Sequence, residues 1–342
     1  MLLPGGALGL LLAAIGFPLP WLMGAMIATA AASLAGHGPH VPGPARGLGQ
    51  LIVSSAVAAN LDTRSFDAIH ANIVPILIVP VLLVLVSGAL ARLLMWKSRC
   101  DEATALFAVL PGGAVEMAEL GRRHGGSGQI VAAAQTLRVA AIVTVVPTLL
   151  LLQGVEVRGV LSMAPRIDPL GLALVFAVAV VAAVGSHRLR LSNAFFVGPL
   201  AAVGAANALG MPVSPVPGPL IVLAQMLLGA ALGSMFTRGA FSSAPGMMRY
   251  LTAIAALTVA FGLGLAAILS WWRAEDFAML ALATAPGSIT ELSMAAKAMS
   301  LDAVVVTAYH IVRIFVIVMS ADLIFAAFRL ILRGRGGGRD HP

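Results

Sequence analysis

The sequence predicts an all-helical, polytopic membrane fold built from two tandem related halves, and three observations predict it. The chain is 60% hydrophobic and 10% charged, against roughly 25% charged in an ordinary soluble domain. Apolar runs recur along the whole length, each near the about 20 residues that cross a bilayer as a helix. The third observation is an internal period. Leu110-Pro111-Gly112-Gly113-Ala114-Val115-Glu116-Met117 returns 175 residues later as Ala285-Pro286-Gly287-Ser288-Ile289-Thr290-Glu291-Leu292. The same shift carries Gln135 onto His310, Arg138 onto Arg313, Asp101 onto Asp276, Pro42-Gly43 onto Pro217-Gly218 and Gln50 onto Gln225. Landmarks repeating at a fixed shift without gaps mark a duplicated architecture.

Taken in order, the first half offers apolar segments near 2–17, 20–36, 44–61, 70–96 and 127–153, with a Pro-Gly segment at 101–121 before the last. The second half offers 169–186, 194–210, 217–236, 250–271 and 303–328, with its Pro-Gly segment at 276–296. Each half thus holds five to six segments, ten to twelve in total. The corresponding division is a first membrane repeat at 1–154, a linker at 155–168, a second repeat at 169–328 and a basic tail at 329–342, read as disordered. Met1 to Leu19 lacks a basic n-region and runs on into another apolar stretch, so it reads as a retained helix rather than a cleaved signal.

Topology turns on the Pro-Gly segments. If all six segments per half cross, the halves face the same way. If each Pro-Gly segment enters and returns on one side, five crossings remain and the second half is inverted. Inversion leaves only Arg64, Arg158, Arg166, Arg273 and Lys297 on the outer side, and gathers most other basic residues, including Arg329, Arg333, Arg335 and Arg339 of the tail, inside. The positive-inside tendency favours that arrangement, with the C-terminus cytoplasmic in an inner membrane.

The net charge of +7 is spread over short loops and not gathered on one helix, so direct nucleic-acid binding is not expected. The single cysteine, Cys100, excludes an intrachain disulfide and a multi-cysteine metal site. There is no phosphate loop, nucleophile elbow or zinc spacing. An enzyme, a catalytic residue, a metal site and a cofactor are therefore not expected. The partners expected are the lipid bilayer and a small solute, with H+ or Na+ as a coupled ion; homo-oligomerisation stays open.

The residues that carry chemistry cluster at the breaks. Proline lacks a backbone N–H and clashes with the preceding turn, so Pro111 and Pro286, followed by Gly112, Gly113 and Gly287, interrupt their helices. Unwound backbone at membrane depth is tolerated where protein or a water-filled cavity satisfies it. Half-helix ends at corresponding places in two halves bind solutes and ions in secondary transporters. Glu116 and Glu291 follow each break by five residues, and Arg138 and Arg313 sit deep in strong apolar runs. Charges at such depth need partners, and two Glu-to-Arg pairs are expected, with Asp322 able to join them. Gln135 shares a helical face with Arg138, as His310 does with Arg313. Gly24 and Gly198 suit close helix packing.

The duplicated pattern resembles a bacterial inner-membrane family known as AbrB, whose halves define an AbrB duplication domain. The residues that carry the resemblance are Pro20-Trp21-Leu22-Met23-Gly24-Ala25, Leu110-Pro111-Gly112-Gly113 with Glu116-Met117, and Gln135-x-x-Arg138 followed by Pro147. The second half departs at Ser288 and His310. The resemblance implies an integral inner-membrane protein, and family members are labelled transcriptional regulators or ammonia monooxygenases. A DNA-reading element and a monooxygenase metal site are both missing from the sequence. The residues point instead to an ion-coupled secondary transporter, with a membrane sensor that regulates gene expression indirectly, through its Arg-rich tail, as the alternative.

Overall fold

The computed structural model describes residues 2–38, 41–59, 63–157, 167–191, 193–211, 213–238 and 245–336. Among these residues the chain forms sixteen helices and no strand. The first eight are α1 (Leu2–Ala14), α2 (Pro20–Leu34), α3 (Gly43–Ala58), α4 (Thr63–Ala71), α5 (Ile73–Ser98), α6 (Glu102–Val109), α7 (Ala114–Arg123) and α8 (Gly128–Leu152). The second eight are α9 (Pro169–Arg188), α10 (Ala194–Ala208), α11 (Gly218–Ser234), α12 (Pro245–Arg273), α13 (Phe277–Thr284), α14 (Ile289–Ala298), α15 (Ala303–Met319) and α16 (Ala321–Gly336).

Among the described residues, α5, α8, α9 and α12 are each long and apolar enough to cross a membrane, and α15 with α16 qualifies as one span bent by 63°. That bend corrects the single segment expected at 303–328. It falls at Ser320, whose hydroxyl turns back onto the Val316 carbonyl, and hydroxyls bonded in this way bend helices. Helices α2, α3, α10 and α11 hold 15, 16, 15 and 17 residues. At 1.5 Å per residue they fall short of an about 30 Å hydrocarbon core. Proline starts α2 and stands just inside α3 and α11, where its missing N–H costs nothing. The basic tail begins as helix, since α16 runs on through Gly336, while residues 337–342 and most of the expected linker, 158–166, lie outside the described residues.

Pairings in the bundle come in exchangeable sets. Helix α2 packs on α11 as α10 packs on α3; α1 packs on α2 as α9 packs on α10; α12 packs on α8 as α15 packs on α5. Helices α5 and α12 occupy equivalent places in the two halves and run in opposite directions. Arg273, at the end of α12, donates to the Ala71 carbonyl just before α5 at 2.6 Å. At the other end, Leu94 and Lys97 of α5 share a groove with Arg249 and Tyr250 of α12. Two long apolar helices in one layer, 175 residues apart in sequence, are thus antiparallel.

Small residues let these helices approach. A Cβ on Gly24 would fall 2.4 Å from the Gly9 nitrogen and 2.5 Å from the Gly5 carbonyl, and one on Gly198 would fall 2.6 Å from the Ala182 carbonyl. Real Cβ atoms do not sit so close, so the α1–α2 and α9–α10 contacts require glycine at these positions, in keeping with small-residue packing in membranes. Gly24→Val is expected to cost about 1–3 kcal/mol by overpacking, read as a lower melting temperature in detergent. Gly185→Ala, where nothing lies within 4 Å of the new Cβ, is expected to leave the melting temperature unchanged or raise it slightly.

Candidate functional site

Each half carries one helical hairpin built around its proline. In the first, Asp101 caps α6 by accepting from the Thr104 amide at 2.7 Å and the Thr104 hydroxyl at 2.6 Å. In the second, Asp276 caps α13 by accepting from the Ala278 amide at 2.8 Å. The residue before a proline is driven out of the helical region by the ring. Accordingly Leu110 takes φ −59°, ψ 126° and Ala285 takes φ −60°, ψ 126°, and both half-helices stop there. Gly113 and Ser288 are still extended, at φ −70°, ψ 141° and φ −83°, ψ 139°, and open α7 and α14. The first hairpin closes where it began: the Ser127 amide, just past α7, donates to the Thr104 hydroxyl at 2.7 Å. Its eight-residue first arm reaches about 12 Å. The Pro-Gly segment of the first half therefore enters and returns, and does not cross.

A half-helix that ends inside the protein leaves its last carbonyls without partners. Arginine takes them. Arg138 Nη1 donates to the Val109 and Leu110 carbonyls at 3.1 and 3.3 Å, and its Nη2 to the Gly112 carbonyl at 3.4 Å. In the second half Arg313 Nη1 donates to the Ala285 carbonyl at 2.9 Å and its Nη2 to the Gly287 carbonyl at 2.6 Å. Leu110 and Ala285 are 175 apart, as are Gly112 and Gly287, so the two clamps grip equivalent atoms. Gln135 Nε2 adds bonds to the Phe107 and Leu110 carbonyls at 2.7 and 2.9 Å, and its Oε1 accepts from Arg138 at 2.5 Å. His310 stands in the place of Gln135, buried near the Leu282 carbonyl, and neither ring nitrogen completes a hydrogen bond.

The expected Glu-to-Arg pairs do not form. No ion pair among the described residues involves Arg138 or Arg313. The reason is the opposite polarity of the two half-helix ends at each break. The arginines sit at the carbonyl end of α6 and α13, whereas Glu116 and Glu291 sit in the first turn of α7 and α14, the positive end. The Glu116 carboxylate folds back over Gly113, where a Cβ would fall 2.0 Å from it. Glu291 is buried, with one carboxylate oxygen lacking a hydrogen bond. Asp322 does not join this region either. Because the chain bends at Ser320, it lies in the first turn of α16, largely exposed, with its carboxylate 2.9 Å from His124.

The two breaks meet at one cavity of about 40 Å³. Gly112, Gly113 and Gln135 line it from one half, and Gly287, Ser288 and Arg313 from the other. Arg46 and Asn193 complete the lining; neither was singled out in the sequence. The one signal for Arg46 was its place just after the repeated Pro-Gly at the start of α3. Pro111, Pro286, Glu116, Glu291, Arg138 and His310 do not line the cavity, although Arg138 holds two groups that do, the Gly112 carbonyl and Gln135. Among the described residues, no group of three or more His, Cys, Asp and Glu is placed to hold a metal ion.

Removing a clamp leaves carbonyls buried without donors, at about 1–3 kcal/mol for each group. Gln135→Leu is therefore expected to lower the melting temperature in detergent by several degrees, while Glu116→Gln, which removes no bond to the clamp, leaves it within a degree or two. Equal losses from both would contradict the division of labour between the two ends of the break.

Two comparisons bear on this arrangement. A curated protein of Escherichia coli (strain K12), named "Putative regulator AbrB", is 26% identical over 328 residues, covering 92% of each chain. The family described as transition state regulatory protein AbrB matches residues 21–329, a stretch that takes in both breaks, both arginine clamps and every helix from α2 to α15. The chain therefore belongs to the AbrB family.

Proposed function

We propose that this protein is a secondary carrier of a small solute, working by alternating access between two halves related as inverted repeats. The observation that carries the reading is the convergence of both Pro-Gly breaks on one cavity. The antiparallel course of α5 and α12 supports the inversion, since equivalent helices of inverted repeats must cross in opposite directions. Glu116 and Glu291, on the first turns past the breaks, are the candidates for the coupled H+ or Na+. The distribution of basic loops places the C-terminus in the cytoplasm and the protein in the inner membrane.

The two hairpins also sit differently, as alternating access requires of halves that take turns. Helix α14 packs on α3, and the Lys297 ammonium donates to the Ala56 carbonyl. The equivalent contact would join Arg122 of α7 to Ala231 of α11. It is not made: Arg122 is exposed and pairs with Glu119 on its own helix. Thr290 and Glu291 are buried, while their counterparts Val115 and Glu116 are exposed and half-buried. One hairpin is thus docked and the other released, and the exchange of those roles is the proposed transport step.

A regulatory reading draws on the names carried by the family and by the Escherichia coli relative, and on the seat of α16. That helix rests on the first hairpin through Arg329 and Glu102 at 3.2 Å and through Asp322 and His124. A change in the hairpin would be felt at the C-terminus, and any effect on gene expression would then be indirect.

Paired cysteines test the exchange. With Cys100 replaced, Ala56→Cys with Lys297→Cys is expected to cross-link in one state, and Arg122→Cys with Ala231→Cys in the other. Either cross-link is expected to stop transport. Failure of the second pair to cross-link under any condition, with the first always closed, would contradict alternating access.

A further inference from the structure

The solute site is electropositive, and its character follows from where the arginines go. A broken helix offers two kinds of backbone group: carbonyls that hold cations and amides that hold anions. Here the carbonyls at both breaks are already taken. Gly112 accepts from Arg138, and Leu110 from Arg138 and Gln135; Ala285 and Gly287 accept from Arg313. What remains open to the cavity is the amide end of each break, Gly113 and Ala114 at the start of α7 and Ser288 and Ile289 at the start of α14, both helices of ten residues. Arg46 and Arg313 add two guanidiniums to the lining, and no carboxylate lines it.

The charge is also uncompensated. Arg138 and Arg313 are 3% exposed each and lie within electrostatic range of one another. Neither is in an ion pair among the described residues. The Nε–H of each makes no hydrogen bond, and Arg313 faces the cavity. Two buried like charges without a carboxylate are costly, and an anion seated between the hairpins would offset that cost. Asn193 supplies a neutral polar group beside them. At about 10–15 Å³ per water-sized site, a cavity of about 40 Å³ has room for a ligand of about three or four heavy atoms.

We infer that the cavity between the two Pro-Gly breaks binds a small monovalent oxyanion, a short-chain carboxylate or an inorganic anion of like size and shape. The inference rests on the carrier reading only for its consequence, that the anion is the transported solute. As an anion site, it stands on the geometry alone. A bidentate guanidinium suits a planar oxyanion, and amides at two facing half-helix starts suit the same charge from the other side.

The test uses the full chain in detergent for binding and in liposomes for flux, with acetate and nitrate as anion probes and methylammonium as the cation control. Calorimetric binding of acetate or nitrate is expected, weakened ten-fold or more by Arg46→Gln and by Arg313→Lys, each checked for a single species by gel filtration. Arg46 is half-buried at the start of α3 and away from the clamps, so its substitution reports on the site if Arg313→Lys fails to fold. Acetate binding without nitrate binding assigns the carboxylate class, and the reverse assigns the inorganic one. Binding of methylammonium in place of both anions, binding of none of the probes, or anion binding that neither substitution moves overturns the inference. Anion binding without flux keeps the site and removes the carrier reading. Methylammonium flux that the anions do not affect keeps the carrier reading and removes the anion site.

Discussion

The structure depends on how backbone carbonyls are satisfied where a helix stops inside an apolar bundle. Hydrocarbon offers no donor, and each unsatisfied carbonyl is expensive. Proline at 111 and 286 creates the problem twice, by forcing the residue before it out of the helix. Arg138 and Arg313 answer it, each spreading its N–H groups over carbonyls of the broken turn. Planarity and multiple donors fit arginine to that task in a way lysine is not. With the carbonyls occupied, the amide ends of the next half-helices are what face the space between the hairpins.

That division of the break into a closed carbonyl side and an open amide side links fold to proposed function. It fixes the sign of the site before any solute is considered. It explains why Glu116 and Glu291 stand apart from the arginines, each at the helix end that suits its charge. It also makes the hairpin a self-contained unit, capped by Asp101 or Asp276 at its base and clamped at its tip. A unit of that kind can shift as a body against α3 or α11 without unravelling, as two unequally docked hairpins require.

Much of the fold was legible in the sequence, for reasons tied to particular residues. Pro-Gly pairs restrict the backbone wherever they occur, so their recurrence at 111 and 286 located both breaks, and Pro42-Gly43 with Pro217-Gly218 located the starts of α3 and α11. Gln135, three residues before Arg138, shared its face as helical spacing demands, and the two side chains bond each other. The partners of the arginines were not legible. Spacing says which face a side chain occupies but not which end of a facing half-helix it meets, and opposite charge was a poor guide where the backbone itself carried the negative end. Arg46 and Asn193 reach the cavity from α3 and from the residue before α10, a proximity created by the packing of one half on the other. The bend at Ser320 lacked the proline or glycine that marks other breaks, so Asp322 was expected too deep.

The central claim is that the two halves insert in opposite senses and present their breaks to one cavity from opposite sides. Gly125 and Ser300 are exposed positions 175 residues apart, each at the turn after its hairpin. With Cys100 replaced, single cysteines there can be labelled with an impermeant thiol reagent in cells and in inverted vesicles. Labelling of the two from opposite sides of the membrane is the expected result. Labelling of both from the same side would mean parallel halves and would contradict alternating access around the paired breaks.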